Sequence, residues 1–558
     1  MRSHVFEVRG VFGIALLLLL AVARNAPAQA EKAWDAAYDG PAHNHDTPRA
    51  LAVDPEGNVY LTGRSQTGKQ FHRPFGVGPE ADFATVKFDP NGRRLWEARY
   101  AAPGDSPVDD EAVGLALDGE NNVHVTGRTG AGLEADFLTI TYDANGQTLW
   151  ERTWGTDEFN DEPSAIVTDP DGTTVVTGQS TISSSGGSVF ATVMYDGSGD
   201  VLWDARNLVP HGAAASARAV AISSAGDVYV FGGVIYSGDL GNYRLIKYDT
   251  AGQELWFKDH LGIDTTWSRP MGLTIDSQGP LVTGAMGLPS FQGSLTETVQ
   301  YDLEGNELWA ATHQTDLASY DAAMAARVDP TGDVYLVGRT CQGNSCEILV
   351  VKHDGVGNEI WAKAFQGEGQ DATGLAGGFA LELDNLGFAY IAGASANASG
   401  AMEVATLKID ANGGKVWSMT WSGSGGVYGR GLAIALDREG SVLVAAESTA
   451  DNGFFDYAAI KYSQRSASTF SRGDANDDGK RDLADAVSIL LSLFAGGPAP
   501  GCADSADVNG DAKIDLTDSV YLLGYLFQGA APPPAPFPDC GTNALGNGLG
   551  CASFKACK

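Results

Sequence analysis

Two acidic stretches near the end of the chain carry residue types that bind a hard cation. One begins at Asp474 and the other at Asp507, 33 residues later. In each stretch, oxygen-bearing side chains occupy positions 1, 3, 5, 9 and 12, and position 7 offers a main-chain carbonyl. The twelve candidate ligands are Asp474, Asn476, Asp478, Lys480, Asp482, Asp485, Asp507, Asn509, Asp511, Lys513, Asp515 and Asp518. Because Ca²⁺ takes about six to eight oxygen ligands, we predict two calcium sites.

The region around these loops resembles a dockerin. The loop spacing is that of an EF-hand-type loop with Asp at the twelfth position, and each loop precedes an apolar run, ADAVSILLSLF or TDSVYLLGYLF. The resemblance covers residues 472–530 and implies two calcium-loop-plus-helix repeats that fold on calcium. It also implies docking to a cohesin-like or envelope protein. A calcium-stapled structural module without a partner is the alternative.

Two features of this module depart from the usual loop pattern, and a third predicts its core. The tenth and eleventh loop positions are Leu483-Ala484 and Leu516-Thr517, where cellulosomal dockerins often have hydroxyl residues. Ala512 stands where a glycine is preferred for the sharp turn of the second loop. Apolar residues at helical spacing predict a small core shared by the two helices. The core positions predicted in this way are Val487, Leu490, Leu491, Phe494, Val520, Leu523 and Phe527.

Most of the preceding chain consists of copies of one unit. Hairpins such as ALAVDPEGNVYLTG and GLALDGENNVHVTG recur eight times, with turn residues between alternating apolar runs. Each of the first seven is followed by an ending such as TYDANGQTLW. These endings place tryptophans at Trp96, Trp150, Trp203, Trp256, Trp309, Trp361 and Trp417. Period-2 alternation with regular turns predicts four antiparallel strands per copy, and such repeats are typical of a β-propeller.

The two ends of the repeat array complete each other. The eighth copy ends as DYAAIKYSQRSAST without a tryptophan, whereas Trp34 precedes the first hairpin. We therefore expect the strand around Trp34–Tyr38 to pair with the last copy. The predicted fold is all-β: over residues 31–463, an eight-bladed β-propeller of four-stranded antiparallel blades closed by N-/C-terminal strand exchange. A small α-helical, EF-hand-like dockerin module follows.

The repeats resemble the bacterial beta-propeller repeats named SBBP, through their DxxGxxxW endings and xDxxGxxYxTG hairpins. The endings are also similar to those of eight-bladed quinoprotein dehydrogenases, but this chain lacks the adjacent cysteines of those enzymes. A recurring tryptophan after a turn glycine is best explained by packing between blades. Trp154, Trp267 and Trp421 depart from this register and are candidates for exposed aromatic side chains. Ligand contacts are expected where copies differ, at 67–79, 181–188 and 341–346.

The ends and the composition indicate an exported chain. Residues 1–30 read as a signal peptide, with an apolar run before Ala28-Gln29-Ala30, and no later segment is apolar enough to span a membrane. The net charge of −34 argues against nucleic-acid binding. A Ser-rich linker is expected at 464–471, and a Pro/Gly/Cys-rich tail at 531–558. Six cysteines in an exported chain favour disulfides.

The cysteine pairing and one histidine-rich loop leave alternatives open. Cys341 and Cys346 can bridge locally. The last four cysteines allow three pairings, of which we favour Cys502 with Cys540 and Cys551 with Cys557. The sequence His43-Asn44-His45-Asp46 contains ligand types, but without a second cluster we interpret it as a structural loop rather than a metal site.

No motif of an enzyme class is present, so catalytic residues are unknown. The favoured function is a secreted or cell-surface, non-catalytic propeller that binds protein or glycan and is anchored through its calcium module. The alternative is a propeller enzyme acting on polysaccharide, a lyase or a hydrolase; a quinoprotein-like dehydrogenase is a weaker one. An inward-facing cluster of charged residues at the propeller axis would favour the enzyme. Small and apolar groups there would favour the binding protein.

Overall fold

The computed structural model describes residues 30–541 and 554–557, apart from 74–75, 104–108, 131–134, 157–158, 183–186, 209–213, 236–240, 261–266, 289–292, 317, 370, 372, 465–469, 499 and 512. Side chains at 70–79 are also outside the description. The predicted signal peptide and most of the predicted linker therefore lie outside the described residues. The chain divides into two compact units, one spanning Ala30–Gln464 and the other containing the chain from Arg465 onward.

The larger unit is built of antiparallel strands that group in fours. The strand β1 is Ala30–Tyr38, and the first two sets of four are β2 Asp46–Val53, β3 Val59–Arg73, β4 Gly76–Phe88, β5 Arg94–Tyr100, β6 Glu111–Leu117, β7 Val123–Thr129, β8 Asp136–Tyr142 and β9 Thr148–Trp154. The next two sets are β10 Asp161–Thr168, β11 Thr174–Thr181, β12 Ser188–Tyr195, β13 Val201–Asn207, β14 Ala214–Ile222, β15 Val228–Ile235, β16 Asn242–Tyr248 and β17 Glu254–His260.

The remaining strands repeat this arrangement. They are β18 Trp267–Ile275, β19 Pro280–Gly287, β20 Ser294–Tyr301, β21 Glu307–His313, β22 Tyr320–Val328, β23 Val334–Gln342, β24 Ser345–His353, β25 Glu359–Phe365, β26 Gly377–Leu383, β27 Ala389–Ala396, β28 Met402–Ile409, β29 Lys415–Trp421, β30 Gly429–Leu436, β31 Val442–Thr449 and β32 Phe455–Gln464. The last three strands pair with β1 in the order β1-β32-β31-β30, so both ends of the unit contribute to one sheet. The pairing expected for Trp34–Tyr38 is therefore present.

Neighbouring sets pack through their first strands. Contacts run from β2 to β6, β10, β14, β18, β22, β26 and β30 in turn, and from β30 back to β2. The second and third strands are buried on both faces, as in β12 and β31, whereas fourth strands such as β9 alternate between exposed and buried residues. Each apolar core joins two adjacent sets, so the sheets lie face to face, as β-propeller repeats do.

The recurring tryptophans lie between sets, as predicted. The indole N–H of Trp96 donates to the main-chain oxygen of Ala144 at 3.0 Å, and that of Trp150 donates to Gly197 at 3.1 Å. Each ring lies against a turn glycine of the next set; a Cβ on Gly146 would come within 2.7 Å of the Trp96 ring. That glycine also has a positive φ of 84°, which other residues rarely adopt.

The C-terminal unit contains three helices, α1 Leu483–Phe494, α2 Ala503–Ala506 and α3 Leu516–Gln528, within its described residues. Disulfides join Cys341 to Cys346 in the larger unit and Cys540 to Cys557 in this one, and Cys502 is also disulfide-bonded. The favoured pairing of Cys502 with Cys540 and Cys551 with Cys557 is therefore wrong. The tail packs back on the unit, where Phe554 and Cys557 contact Phe470, and this brings Cys557 to Cys540.

Candidate functional site

The first acidic loop is closed by hydrogen bonds between its predicted ligands and its own backbone. The N–H groups of Asp478 and Gly479 donate to the two carboxylate oxygens of Asp474 at 3.0 and 2.9 Å. Asp485 accepts from the N–H of Asn476 at 3.2 Å and from that of Asp482 at 2.9 Å. Positions 1 and 12 of the loop thus face its interior, where a cation would need them.

The second loop repeats this arrangement. The N–H of Asp511 donates to Asp507 at 3.0 Å, and Asp518 accepts from the N–H groups of Asn509 at 3.2 Å and Asp515 at 2.9 Å. Asp482 and Asp515 also cap the following helices, because their carboxylates accept N–H groups of the first turn. Lys480 and Lys513 lie within the loops and donate their N–H groups to Asp478 and Asp511. Ala512 lies outside the described residues.

Three carboxylates of the two acidic loops have a pKa above the usual value for aspartate. Burial raises the pKa of Asp485 and of Asp518 to about 6, and the neighbouring carboxylates add to the effect. Burial also raises the pKa of Asp474. A bound cation would reverse these shifts because it favours the ionised form. The donor set, carboxylate and amide oxygens without sulfur, fits Ca²⁺.

One charged side chain that the sequence did not single out contacts the second loop. Arg472 is fully buried, and its guanidinium lies 3.5 Å from the carboxylate of Asp507 and bonds the main-chain oxygen of the same residue. The tail contacts the first loop instead, since the N–H groups of Lys555 and Ala556 donate to Asp477. The two loops therefore differ in their surroundings although the hydrogen bonds described for them correspond.

The predicted core of the two helices is largely wrong. The buried positions are Ala486, Ile489 and Leu522, with Ala475, Ala506 and Val508 from the loops and α2. The larger apolar residues form a stripe on the outside of each helix, defined here as the α1 stripe, Leu483, Val487, Leu491 and Phe494, and the α3 stripe, Leu516, Val520 and Phe527. Phe494 is 71% exposed and Phe527 is 68% exposed. Ala486, Ile489 and Leu522 pack where the helices meet, and the apolar residues of the two stripes remain outside.

A cavity of about 470 Å³ lies among the first and second strands of four consecutive sets. Its charged lining residues are Arg49, Glu111, Arg128, Glu162 and Arg218. Arg49 pairs with Glu111 at 2.6 Å, and Glu162 accepts from the Gln179 amide at 3.0 Å and lies 3.9 Å from Arg128. Arg218 is exposed and also lines a neighbouring cavity of about 230 Å³. The cavity is thus lined by charged side chains, and a charged lining was expected of an enzyme rather than of a binding protein.

The segments in which the copies of the repeat differ, where ligand contacts are expected, lie partly outside the described residues. The hairpin of β3 and β4 is long, but its side chains at 70–79 are outside the description, as are residues 183–186 of the 181–188 segment. The Cys341–Cys346 disulfide joins β23 to β24, and both cysteines are buried. Of the three irregular tryptophans, Trp267 is the most exposed, at 40%.

The histidine-rich loop lies beside a cluster that the sequence did not reveal. One carboxylate oxygen from each of Asp39, Asp46 and Asp456 lies within 4.8 Å of the others. Among the described residues, no other three histidine, cysteine, aspartate or glutamate side chains bring potential metal-ligating atoms this close together. Asp456 is more than 400 residues from the other two, so no local motif could have identified it.

Comparison with known proteins identifies one repeat directly. Residues 40–68 match the family model SBBP, described as Beta-propeller repeat. No curated protein sequence matches the chain. Among solved structures, the polysaccharide lyase Uly1 is similar at 9% identity and a TM-score of 0.41, covering 76% of this chain and 91% of its own.

Two other solved structures show comparable similarity. A PL25 ulvan lyase has 11% identity and a TM-score of 0.40, with 69% of this chain and 97% of that one covered. The β-propeller domain of the Trilobed protease from Pyrococcus furiosus, described as having an open velcro topology, has 11% identity and a TM-score of 0.35. It covers 70% of this chain and 94% of that one. At such scores the similarity says nothing about activity.

None of the helices among the described residues has the length and apolar character that crossing a membrane requires.

Proposed function

We propose that this chain is an exported, non-catalytic binding protein with a closed, eight-bladed β-propeller and a dockerin-like calcium module. The propeller binds a glycan, and the module docks the chain to a partner protein at the cell surface or in an extracellular assembly. The cyclic contacts of the first strands and the pairing of β1 with β32 support the closed ring. The disulfides agree with an oxidising compartment.

The observation that carries the proposal is the pair of exposed apolar stripes on α1 and α3. Val487 and Val520, and likewise Phe494 and Phe527, stand 33 residues apart in the chain, and all four are exposed. Exposed apolar patches at matching positions are typical of a protein interface. Each helix begins within the last three positions of a predicted calcium loop, so calcium binding would fix the stripe that the helix carries.

The larger unit offers a site for an anionic ligand. Arg49 and Arg128 are paired with carboxylates, whereas Arg218 extends into the cavity from an exposed position. A guanidinium binds a carboxylate or a sulfate through two parallel hydrogen bonds. We therefore propose an acidic polysaccharide as the ligand. Binding alone is favoured because the two carboxylates of the described lining, Glu111 and Glu162, are already held by arginine and amide groups.

A polysaccharide-cleaving enzyme is the second candidate, and the charged lining of the cavity favours it. In that case Glu111 and Glu162, held by arginine and amide groups, are the acid–base candidates. The test is to incubate the chain with acidic polysaccharides and measure binding by calorimetry and cleavage by new reducing ends. Binding without cleavage supports the main proposal. Cleavage that Glu162→Gln abolishes, with binding retained, supports the enzyme.

The docking test uses stripe variants. Val487→Asp with Phe494→Asp, Val520→Asp with Phe527→Asp, and all four together are compared in pull-downs from the envelope and secreted fractions of the producing cells, with and without a calcium chelator. A defined partner that is retained by the chain in calcium, but lost with chelator and with the fourfold variant, supports docking. Leu386→Asp is the matched control, since Leu386 is 81% exposed on the larger unit. A partner retained by the fourfold variant would contradict the proposal.

A further inference from the structure

The carboxylates of Asp39, Asp46 and Asp456 meet where the two ends of the larger unit come together. Asp39 directly follows β1, Asp46 is the first residue of β2, and Asp456 lies near the start of β32. Tyr38 pairs with Tyr457 across β1 and β32, which brings Asp39 and Asp456 to the same end of that ladder. One oxygen from each of the three carboxylates lies within 4.8 Å of the other two.

Two of these carboxylates are buried with an oxygen that has no partner. Asp46 is fully buried and Asp456 is 8% exposed. In the described part of the chain, Oδ1 of Asp456 is buried and accepts no hydrogen bond, and Oδ1 of Asp46 likewise has no hydrogen-bond partner, although the Ser65 hydroxyl lies beside that carboxylate and lowers its pKa. An unsatisfied buried carboxylate oxygen is costly unless a donor or a cation supplies the missing interaction.

The nearby positive groups do not compensate for three carboxylates. His43 bonds Asp39 at 2.5 Å, but its side chain is 72% exposed. His45 accepts the main-chain N–H of Phe455 at 3.2 Å, and burial lowers the pKa of His45. Arg99 is already bonded to Asp82, Tyr38 and Ser65. Burial accordingly raises the pKa of Asp46 to about 6 and, with Asp39 adding, that of Asp456 to about 7.

The junction between the second and third sets can be compared residue by residue with the one that contains Asp39, Asp46 and Asp456. Phe137 pairs with Trp154 as Tyr457 pairs with Tyr38, so Asp136 corresponds to Asp456 and Gly155 to Asp39. Asp161 accepts the N–H of Thr156 at 2.7 Å, as Asp46 accepts that of Gly40 at 2.5 Å. The carboxylate on the first strand thus has a recurring structural task, and its other oxygen is unpartnered at both junctions, since Oδ1 of Asp161 is also buried and accepts no hydrogen bond. The third carboxylate, Asp39, stands where that junction has a glycine.

We propose that Asp39, Asp46 and Asp456 form a divalent-cation site, separate from the two acidic loops and suited to an ion such as Ca²⁺, that joins the N-terminal and C-terminal strands of the larger unit. Ca²⁺ binds oxygen at about 2.3–2.6 Å, so oxygens on one ion are separated by at most about 5 Å, as these are. The histidine-rich loop, interpreted from sequence as structural, supplies Asp46.

The experiment counts bound calcium in a chain whose two predicted loop sites have been removed by Asp474→Ala and Asp507→Ala. In this background, equilibrium dialysis at about 1 mM Ca²⁺ should find one ion, and none after a further Asp39→Asn or Asp456→Asn change. Asp136→Asn is the matched control and should leave the ion bound. The test compares the number of bound ions in proteins that carry the same two loop substitutions, so its outcome does not depend on whether the loops bind calcium.

Thermal unfolding supplies the second measurement. Ca²⁺ should raise the melting temperature of the larger unit by a few °C in the background chain and in the Asp136→Asn control, because it binds only the folded form. The increase should disappear with Asp39→Asn, whose target is partly exposed and tolerates substitution. An unchanged ion count in Asp39→Asn, or a melting temperature of the background chain that does not respond to Ca²⁺, would overturn the proposal.

Discussion

The indole N–H of Trp34 donates to the main-chain oxygen of Pro90 at 2.8 Å, although 56 residues separate them in the chain. The Trp34 ring also lies on Gly92, in the turn between β4 and β5 of the first set. Trp96 and Trp150 make the same contacts with the following sets. The N-terminal strand thus supplies the last sheet with the tryptophan that its own copy of the repeat lacks.

Replacing Trp34 by alanine should therefore destabilise the larger unit. The half-buried ring loses its contact with the turn and one hydrogen bond, and we expect a cost of about 2–3 kcal/mol in the free energy of unfolding. Denaturant titration followed by tryptophan fluorescence measures it. Leu95→Ala, at a half-exposed position of β5, is the control and should cost less than about 0.5 kcal/mol. Equal effects of the two changes would contradict this role of Trp34.

Gly92 and Gly332 separate the effect of backbone conformation from that of close packing. Both have a positive φ, 83° and 90°, but a Cβ would approach the Trp34 ring to 2.7 Å at Gly92 and would meet nothing within 4 Å at Gly332. Gly332→Ala should cost about 1 kcal/mol, for the conformation alone. Gly92→Ala should cost clearly more, because the ring must also move. The same loss in both variants, measured by thermal unfolding, would show that the ring is not tightly held.

Calcium should order the C-terminal unit through the two acidic loops. Asp474→Ala with Asp478→Ala removes two predicted ligands of the first loop, so one ion fewer should bind, and α1 should lose protection against proteolysis in calcium. The melting transition of the larger unit should not change. Full binding by this variant, counted by equilibrium dialysis, would refute the first site, and the corresponding pair Asp507→Ala with Asp511→Ala tests the second.

His260 should make stability depend on pH near neutrality. Burial by itself would lower the pKa of His260, but its bonds to Glu297 at 3.0 Å and Glu307 at 3.3 Å outweigh burial and raise the pKa above 6.5. A raised histidine pKa stabilises the folded state fully below the unfolded value, and this stabilisation is lost as the pH rises through the folded value. His260→Gln should reduce the fall in unfolding free energy between about pH 6 and pH 8. Parallel pH profiles for the two proteins would exclude this contribution.

The repeated strands, the turn glycines and the positions of the tryptophans could be predicted from the sequence, because each follows from local periodicity and turn chemistry. In the two acidic loops, the residues at positions 1 and 12, Asp474, Asp485, Asp507 and Asp518, are buried, and calcium binding by the twelve candidate ligands stays a prediction. The pairing of β1 with β32 was predictable for a related reason: Trp34 lacked a repeat, and the last repeat lacked a tryptophan.

The burial of the apolar residues of α1 and α3 could not be predicted from the sequence, because helical spacing marks an apolar face without showing what packs against it. Ala486, Ile489 and Leu522 fill the contact, and Phe494 and Phe527 remain outside. The pairing of Cys540 with Cys557 depended on how the tail folds back. The Asp39, Asp46 and Asp456 cluster required the two ends of a long array to meet, and no local pattern encodes a distance of that kind.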